Sequence, residues 1–338
     1  MILVTGGTGL LGSHLLFYLT QAGYVVKALK RTNANTSHVK KIFSYYSDDY
    51  EKLFEKINWI EGDITDYISV ENALNNVDFV YHAAAQVSFN PEHKKILKQV
   101  NSLGTSNIVN AALVKGIKKL CYVSSIATLG RDSSEVSLDE NSSWNRNNQN
   151  SVYARTKYEA EQEVWRGIAE GLNAVIVNPA IIIGPGKWDD GSAKLFDTVW
   201  NGQSFFTKGV NGYVDVRDVA RIMIKLMDSS VVNERFILVS DHLSYEELFK
   251  KIAHGLNVPP PKYYAGYILS MLAWRFEYFR SCLFKHKPLI TKETANTAHN
   301  KYYYNNNKIV KKLNYSFIPI EKTINDTAQI FLKEKKIK

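Results

Sequence analysis

At 338 residues, 45% apolar and 22% charged, the chain is long enough to bury a large core in one or two domains, and it is neither fibrous nor disordered in make-up. Its two cysteines, Cys121 and Cys282, exclude a disulfide framework and offer no metal-ligand spacing, so no metal is expected and Cys121 reads as a small buried residue of a core strand. The net charge of +9 suits anionic partners in general, but the basic residues are spread out and no nucleic-acid motif accompanies them, so the surplus reads as solvated lysine with no nucleic-acid partner. The longest apolar stretches, Ala174–Gly184 and Tyr263–Leu272, fall short of the roughly 20 residues that span a bilayer, so no transmembrane segment is expected. The chain opens directly on a strand, which leaves no room for a signal peptide, and the expected setting is reducing and cytoplasmic.

Residues Ile2–Thr5 are a short apolar run of a buried strand. Gly6, Gly9 and Gly12 follow at intervals of three, then a helical pattern of Leu11, Leu15, Leu16 and Leu19 closed by Gly23. A turn from strand into helix aims free backbone N–H groups and the positive helix end at one point, where a pyrophosphate can sit. Gly6 permits the tight turn, Gly9 lets backbone approach the phosphates, and Gly12 lets helix pack on strand.

Further strands are expected at Tyr24–Leu29, Asn58–Glu61, Asp78–His82, Lys119–Ser124 and Asn173–Asn178. A polar loop and helix over 32–56 and helices at Tyr67–Leu74, Pro91–Lys115 and Ser151–Glu170 lie between them. Strand and helix alternate, and the strands are almost continuously apolar, which predicts a doubly wound parallel sheet of the Rossmann type, covered on both faces. Ligand then belongs at the carboxyl ends of the strands. The glycine turn, Arg31, Asp63, Ala83–Ala85 and Ser124-Ser125 all fall there. The polar stretch Arg131–Asn150 reads as a loop over the site or a surface excursion. His82, at a strand end before an alanine run, reads as a packed structural residue.

The G-x-x-G-x-x-G turn, the Asn101-x-x-Gly104-Thr105-x-Asn107 segment and Tyr153-x-x-x-Lys157 after Ser125 together resemble the extended short-chain dehydrogenase/reductase superfamily. The segment from Asn178-Pro179-Ala180-Ile181 to Gly184-Pro185-Gly186 is similar to that of dihydroflavonol 4-reductase-like reductases and of 3β-hydroxysteroid dehydrogenases. Sugar-nucleotide epimerases usually carry a more polar segment there. The resemblance implies a nicotinamide cofactor. It implies that Gly6, Thr8, Gly9, Leu10, Leu11 and Gly12 hold its pyrophosphate, that Asp63 accepts from the adenine amino group, and that Ile64 packs on the ring. Ala83, Ala84, Ala85 and Ser124 would border the cofactor along the strand ends, and Asn178, Pro179, Ala180 and Ile181 would run beside the nicotinamide. Asn101 would support the lysine through structure or water, or act structurally alone. NAD sites of this kind place an acid at the end of the second strand to take the ribose hydroxyls. This chain has Lys30 and Arg31, whose cationic fork suits a 2′-phosphate, so NADP is the expected cofactor with NAD as the alternative.

The catalytic set implied is Ser125, Tyr153 and Lys157. Its chemistry can be argued independently. Reducing a carbonyl by hydride transfer creates an alkoxide that needs a proton, and a phenol can supply it. Tyr153 and Lys157 stand four apart on one helical face. A neighbouring ammonium and an oxidised nicotinamide favour the phenolate, which is otherwise disfavoured below a pKa near 10. Ser125 can orient the substrate oxygen.

Beyond Lys187 the alternation weakens. Tyr213–Asp218 reads as a strand leading into a helix over Val219–Met227, then a strand at Arg235–Val239 and a capped helix at Ser244–Leu256. Tyr263–Phe284 mixes apolar, aromatic and basic residues. It reads as a helix of the substrate region, or as a contact with a membrane surface or a greasy substrate. Asn305–Tyr315 resembles the family's terminal element, with Asn314 at a left-handed helix end. The expected organisation is a nucleotide-binding domain over 1–183, to which 211–240 returns, and a smaller mixed substrate region from 184–210 and 241–338. The expected reaction is NADPH-dependent reduction of an aldehyde or ketone on a fairly apolar small molecule. A nucleotide-sugar epimerase or dehydratase and a redox sensor without catalysis are the alternatives. Relatives pair through two long helices, here Pro91–Lys115 and Ser151–Glu170, so a homodimer is the implied assembly.

Overall fold

The computed structural model describes residues 1–88, 90–130, 137–144, 150–284, 295 and 297–337. Part of the expected loop at 131–150 lies outside these residues. Seven strands form one wholly parallel sheet: β1 (Ile2–Thr5), β2 (Val26–Lys30), β3 (Ile57–Glu61), β4 (Phe79–His82), β5 (Lys119–Val123), β6 (Ala174–Pro179) and a last strand at Glu234–Leu238. They lie in the order β3-β2-β1-β4-β5-β6 and then the strand at Glu234–Leu238, so the order reverses between β1 and β4. Alternate residues feed opposite faces, because successive side chains of a strand point opposite ways. Val4, Tyr81, Cys121 and Val177 join one buried cluster. Leu3, Val80, Tyr122 and Ile176 join the other.

The helix after β1, α1 (Leu10–Gln21), is apolar nearly all round and lies buried on one face. Helices α2 (Ser37–Ser44), α3 (Tyr50–Glu55) and α4 (Tyr67–Ala73) connect the next strands. The expected helix Pro91–Lys115 opens with a 3-10 turn at Pro91–His93 and runs as α5 (Lys94–Leu97), a single π-helical turn at Lys98–Leu103 and α6 (Gly104–Lys115), with Asn101 in the widened turn. Helix α7 (Val152–Ala169) starts where Ser151 caps it by accepting from the Ala154 N–H at 2.8 Å.

A second, smaller sheet holds β7 (Ile181–Ile183) parallel to β9 (Val210–Asp215), which pairs antiparallel with β11 (Asp241–Ser244); the strand at Glu234–Leu238 is β10. The boundary expected at Asp218 moves to Asp215. Its carboxylate accepts from the Arg217 N–H at 2.7 Å, so it caps α9 (Val216–Asp228). Of the stretch 211–240, α9 and β10 join the large sheet's layers, while β9 belongs to the small sheet. A two-stranded pairing of β8 (Phe205–Phe206) with β12 (Tyr263–Tyr264) had no counterpart in the sequence reading. Helix α8 (Lys194–Trp200) and α10 (Tyr245–Leu256) follow, α10 under a reciprocal cap between Ser244 and Glu247. Then come α11 (Tyr267–Phe284), α12 (Asn307–Leu313) and α13 (Ile320–Ile337). Asn314 ends α12 in the left-handed conformation, φ 46°, as read from the sequence. The sequence reading places residues 320–337 in the substrate region and assigns them no helix. There Ile324, Ala328 and Phe331 recur at helical spacing and close a third core with Leu248, Ile252, Phe196 and Tyr213.

Candidate active site

The glycine turn is packed too tightly to admit a Cβ at Gly6 or Gly12. Gly6 sits at φ +73°, and a Cβ on it would lie 2.6 Å from the Ala84 nitrogen; a Cβ on Gly12 would lie 2.1 Å from the Gly6 carbonyl oxygen. No side chain caps α1 at Gly9, so the N–H groups at its start are available to an anion. Gly186 packs over the same turn, where its Cβ would meet Leu10 at 2.9 Å. On the other side His38 donates from Nε2 to the Thr8 carbonyl at 2.7 Å. The His38 ring is held below its usual pKa by burial and by the Lys187 charge. His38 and Lys187 were not singled out in the sequence. The glycine pattern accounts for the turn but says nothing of what a distant loop folds onto it.

The expected catalytic residues come together. Ser125 follows β5, and its hydroxyl hydrogen-bonds the Tyr153 phenol from the first turn of α7. Burial pushes the Tyr153 phenol up, and the Ser125 bond works against it. Lys157, one turn on, is fully buried, and its Nζ donates to the Tyr122 hydroxyl at 2.7 Å and to the Val123 carbonyl at 2.8 Å. Burial brings its pKa down to about 7, and the Glu161 carboxylate resists that. The sequence argument cast Lys157 as the ammonium that lowers Tyr153. In the structure its hydrogen bonds run to Tyr122 and Val123, and burial raises the phenol.

Two buried hydrogen-bond systems back this trio, and neither was read from the sequence. In the first, Thr5 Oγ1 and Thr105 Oγ1 lie 2.7 and 3.0 Å from the two ring nitrogens of His82. Thr105 in turn bonds Tyr122, which takes the Lys157 bond. Burial and the Lys157 charge lower His82 to about 3, so it is a neutral core histidine. In the second, Glu161 is fully buried one turn beyond Lys157. Its Oε2 accepts from Ser124 Oγ at 2.5 Å, Thr128 Oγ1 at 2.9 Å and Asn178 Nδ2 at 2.9 Å, and its Oε1 takes Arg235 at 2.9 Å. The four-residue step from Tyr153 to Lys157 to Glu161 was the available signal. What Glu161 faces is set by β5, β6 and β10.

The remaining candidates lie along the same edge. Arg31 is exposed at the end of β2, while Lys30 is paired with Glu61 at 2.9 Å. Asp63 Oδ1 accepts from the Thr65 N–H at 2.8 Å, and Ile64 is buried against Gly104. Ala83 and Ala84 press on Gly6, and Ala85 is exposed. Asn101 is buried and joins the Gln86 backbone to Thr156, beside Lys157. Asn178, Pro179 and Ala180 are buried and Ile181 is half-buried. The Asn178 amide donates to the Ser125 carbonyl at 3.2 Å, and its Oδ1 has no protein partner. Among the described residues no three His, Cys, Asp or Glu side chains are grouped so as to hold a metal.

Residues 2–238 match the model of the "NAD dependent epimerase/dehydratase family". The chain belongs to that family. Family members and relatives are NAD(P)-dependent oxidoreductases, epimerases and dehydratases acting on CH–OH and C=O groups, and the chain is an enzyme of that kind with a nicotinamide cofactor. A Synechocystis protein named "Putative dihydroflavonol 4-reductase" is 27% identical over 97% of this chain and 93% of its own length. Cinnamoyl-CoA reductase 1 of Arabidopsis thaliana is 26% identical over 99% of this chain and 89% of its own. The crystal structure of gox2253 superposes with a TM-score of 0.81 at 26% identity, covering 99% of this chain and 98% of that one. UDP-glucose 4-epimerase of Thermotoga maritima shares the family's fold, with a TM-score of 0.77 at 20% identity over 99% of both chains.

Proposed function

We propose that this enzyme reduces an aldehyde or ketone on a fairly apolar small molecule at the expense of NADPH. The observation that carries the reading is the meeting of Ser125, Tyr153 and Lys157 beside an uncapped glycine turn at the switch point of the sheet. Relatives named as dihydroflavonol and cinnamoyl-CoA reductases support it.

The residues fit the cofactor by shape. Gly6, Thr8, Gly9, Leu10, Leu11 and Gly12 would hold the pyrophosphate, and Asp63 and Ile64 the adenine. Ala83, Ala84, Ala85, Ser124, Pro179, Ala180 and Ile181 would border the nicotinamide side, with Asn178 acting through the Ser125 backbone it holds. Exposed Arg31 would take a 2′-phosphate, with NAD as the alternative. When bound, the reduced nicotinamide supplies the hydride to the carbonyl carbon. Ser125 orients the carbonyl oxygen, and the Tyr153 O–H gives that oxygen its proton, leaving an alcohol. Lys157 would hold the nicotinamide ribose and, once protonated, would stabilise the resulting phenolate. Residues 1–183 with 211–240 serve the cofactor, and 184–210 with 241–338 serve the substrate. Pairing through the helices of 91–115 and 151–170 is the assembly proposed.

The test is loss of reduced-nicotinamide absorbance with NADPH and NADH across a carbonyl panel, from small aldehydes to flavanonols and ketosteroids. Tyr153→Phe should lower kcat by about 10³. Arg31→Ala should erode the preference for NADPH about tenfold. Preference for NADH in the wild type would overturn the Arg31 assignment. Tightly held nucleotide with no net consumption would transfer the reading to an epimerase or dehydratase.

A further inference from the structure

Over residues 267–277, helix α11 is built inside out. Among its described side chains the buried ones are polar: Ser270 is 8% exposed and Glu277 7% exposed. Ser270 is held by His299 Nε2 at 2.9 Å, and Glu277 pairs with Arg280 at 3.0 Å. Its outward face is apolar: Ile268 is 76% exposed, Leu272 60% and Phe276 72%, one helical turn apart in series. A helix packed on a protein in water normally does the reverse. The strand pair of β8 and β12, the second of which directly precedes α11 in the chain, is apolar and exposed as well. Phe205 and Tyr263 are exposed with ring centres 5.7 Å apart. Exposed apolar surface of this kind marks a contact with something other than water.

The charges around the patch say what that is. Exposed Lys208, Lys262 and Arg275 flank it, and Lys208 Nζ lies 5.1 Å over the Tyr264 ring. From Pro259 to Phe276, and again from Trp200 to Val210, the sequence contains no Asp or Glu. A second copy bound isologously would set this one-signed patch against itself and repel. Aromatic rings and aliphatic side chains bordered by lysine and arginine match the headgroup boundary of an anionic bilayer. No helix among the described residues is long and apolar enough to cross a membrane, so the contact is with the surface.

We infer that the face formed by Phe205, Tyr263, Ile268, Leu272 and Phe276, bordered by Lys208, Lys262 and Arg275, docks the enzyme on an anionic membrane surface. The helix lies in the interface with its apolar side among the upper acyl chains and its cations at the headgroups. This does not depend on which carbonyl is reduced or on which nicotinamide is used.

The test is flotation of the full chain with vesicles of phosphatidylcholine alone and of equal parts phosphatidylcholine and phosphatidylglycerol. Binding is expected to the anionic vesicles and to weaken with salt. Leu272→Gln with Phe276→Gln should reduce it more than tenfold, and Lys208→Gln or Lys262→Gln about fivefold each. Far-UV circular dichroism and thermal unfolding check that each variant is folded; because both apolar side chains already face outward, unfolding of that pair would overturn the assignment. Failure to float with anionic vesicles would overturn it, as would flotation unchanged in the Leu272/Phe276 variant. A concentration-dependent dimer abolished by that variant, without vesicle binding, would assign the face to a second copy and overturn it as well.

Discussion

The layer around α7 and the layer around α11 both bury polar groups and differ in what answers them and in where the apolar side chains go. Under α7, charge goes inside and is answered there: Glu161 accepts from five different side chains, the Trp165 indole among them, and Lys157 is buried between a hydroxyl and a carbonyl. Such a network is costly to build and therefore permits few geometries for the side chains around Tyr153 and Lys157. Under α11, polar groups also go inside, but the displaced apolar side chains are left pointing out. The first arrangement is complete within the chain. The second is completed by what lies beyond it.

That contrast can be broken experimentally, most forcibly at Glu161. Glu161→Gln keeps the shape but leaves Arg235 without its charge partner, and should cost about 3 to 5 kcal/mol in chemical denaturation. A loss below about 1 kcal/mol would mean the network contributes little to folding. A pair of aliphatic deletions compares the layers directly. Leu16→Ala, inside the sheet layer, should cost about 2 to 5 kcal/mol, whereas Leu272→Ala, on the outward face of α11, should stay within about 0.5 kcal/mol. Equal costs would remove the distinction drawn here. Gly12→Ala forces a Cβ into the Gly6 carbonyl, and calorimetric titration should show nucleotide affinity falling about 10²-fold.

Acid should act on the buried side of the comparison. Burial lowers His82 to about 3 and His14 to about 4, while both take protons near 6.5 when unfolded. Between those values the unfolded chain binds more protons, so stability falls as pH drops from about 6.5 toward 4. Each histidine contributes a slope of up to about 1.4 kcal/mol per pH unit. Denaturation measured across that range should give a slope shallower by about this amount in His82→Gln than in the wild type. Identical slopes would show that His82 is protonated in the folded protein.

The meeting of Ser125 with Tyr153, one turn before Lys157, was legible because its parts are short-range. Tyr153 and Lys157 are one helical turn apart, and Ser125 ends a strand whose apolar run is unmistakable. Element ends were less legible. The strand before α9 stops at Asp215 because that carboxylate caps the helix, a choice between Asp215 and Asp218 that only the Arg217 backbone contact resolves. The last helix carries its own periodicity in Ile324, Ala328 and Phe331, but what that stripe packs on, Leu248, Ile252 and Tyr213, lies far away in the chain.

By itself, the sequence determined the parallel sheet, the glycine turn and the face of α7 on which the tyrosine and lysine stand. These follow from period, from steric freedom at glycine and from helical spacing, all of which are local. The tertiary structure alone decided that Glu161 meets Arg235, that His82 is joined through Thr105 to Tyr122, and that α11 turns its apolar side outward. These depend on which distant strands become neighbours and on which face of a helix the rest of the chain leaves uncovered, and no window of sequence contains either.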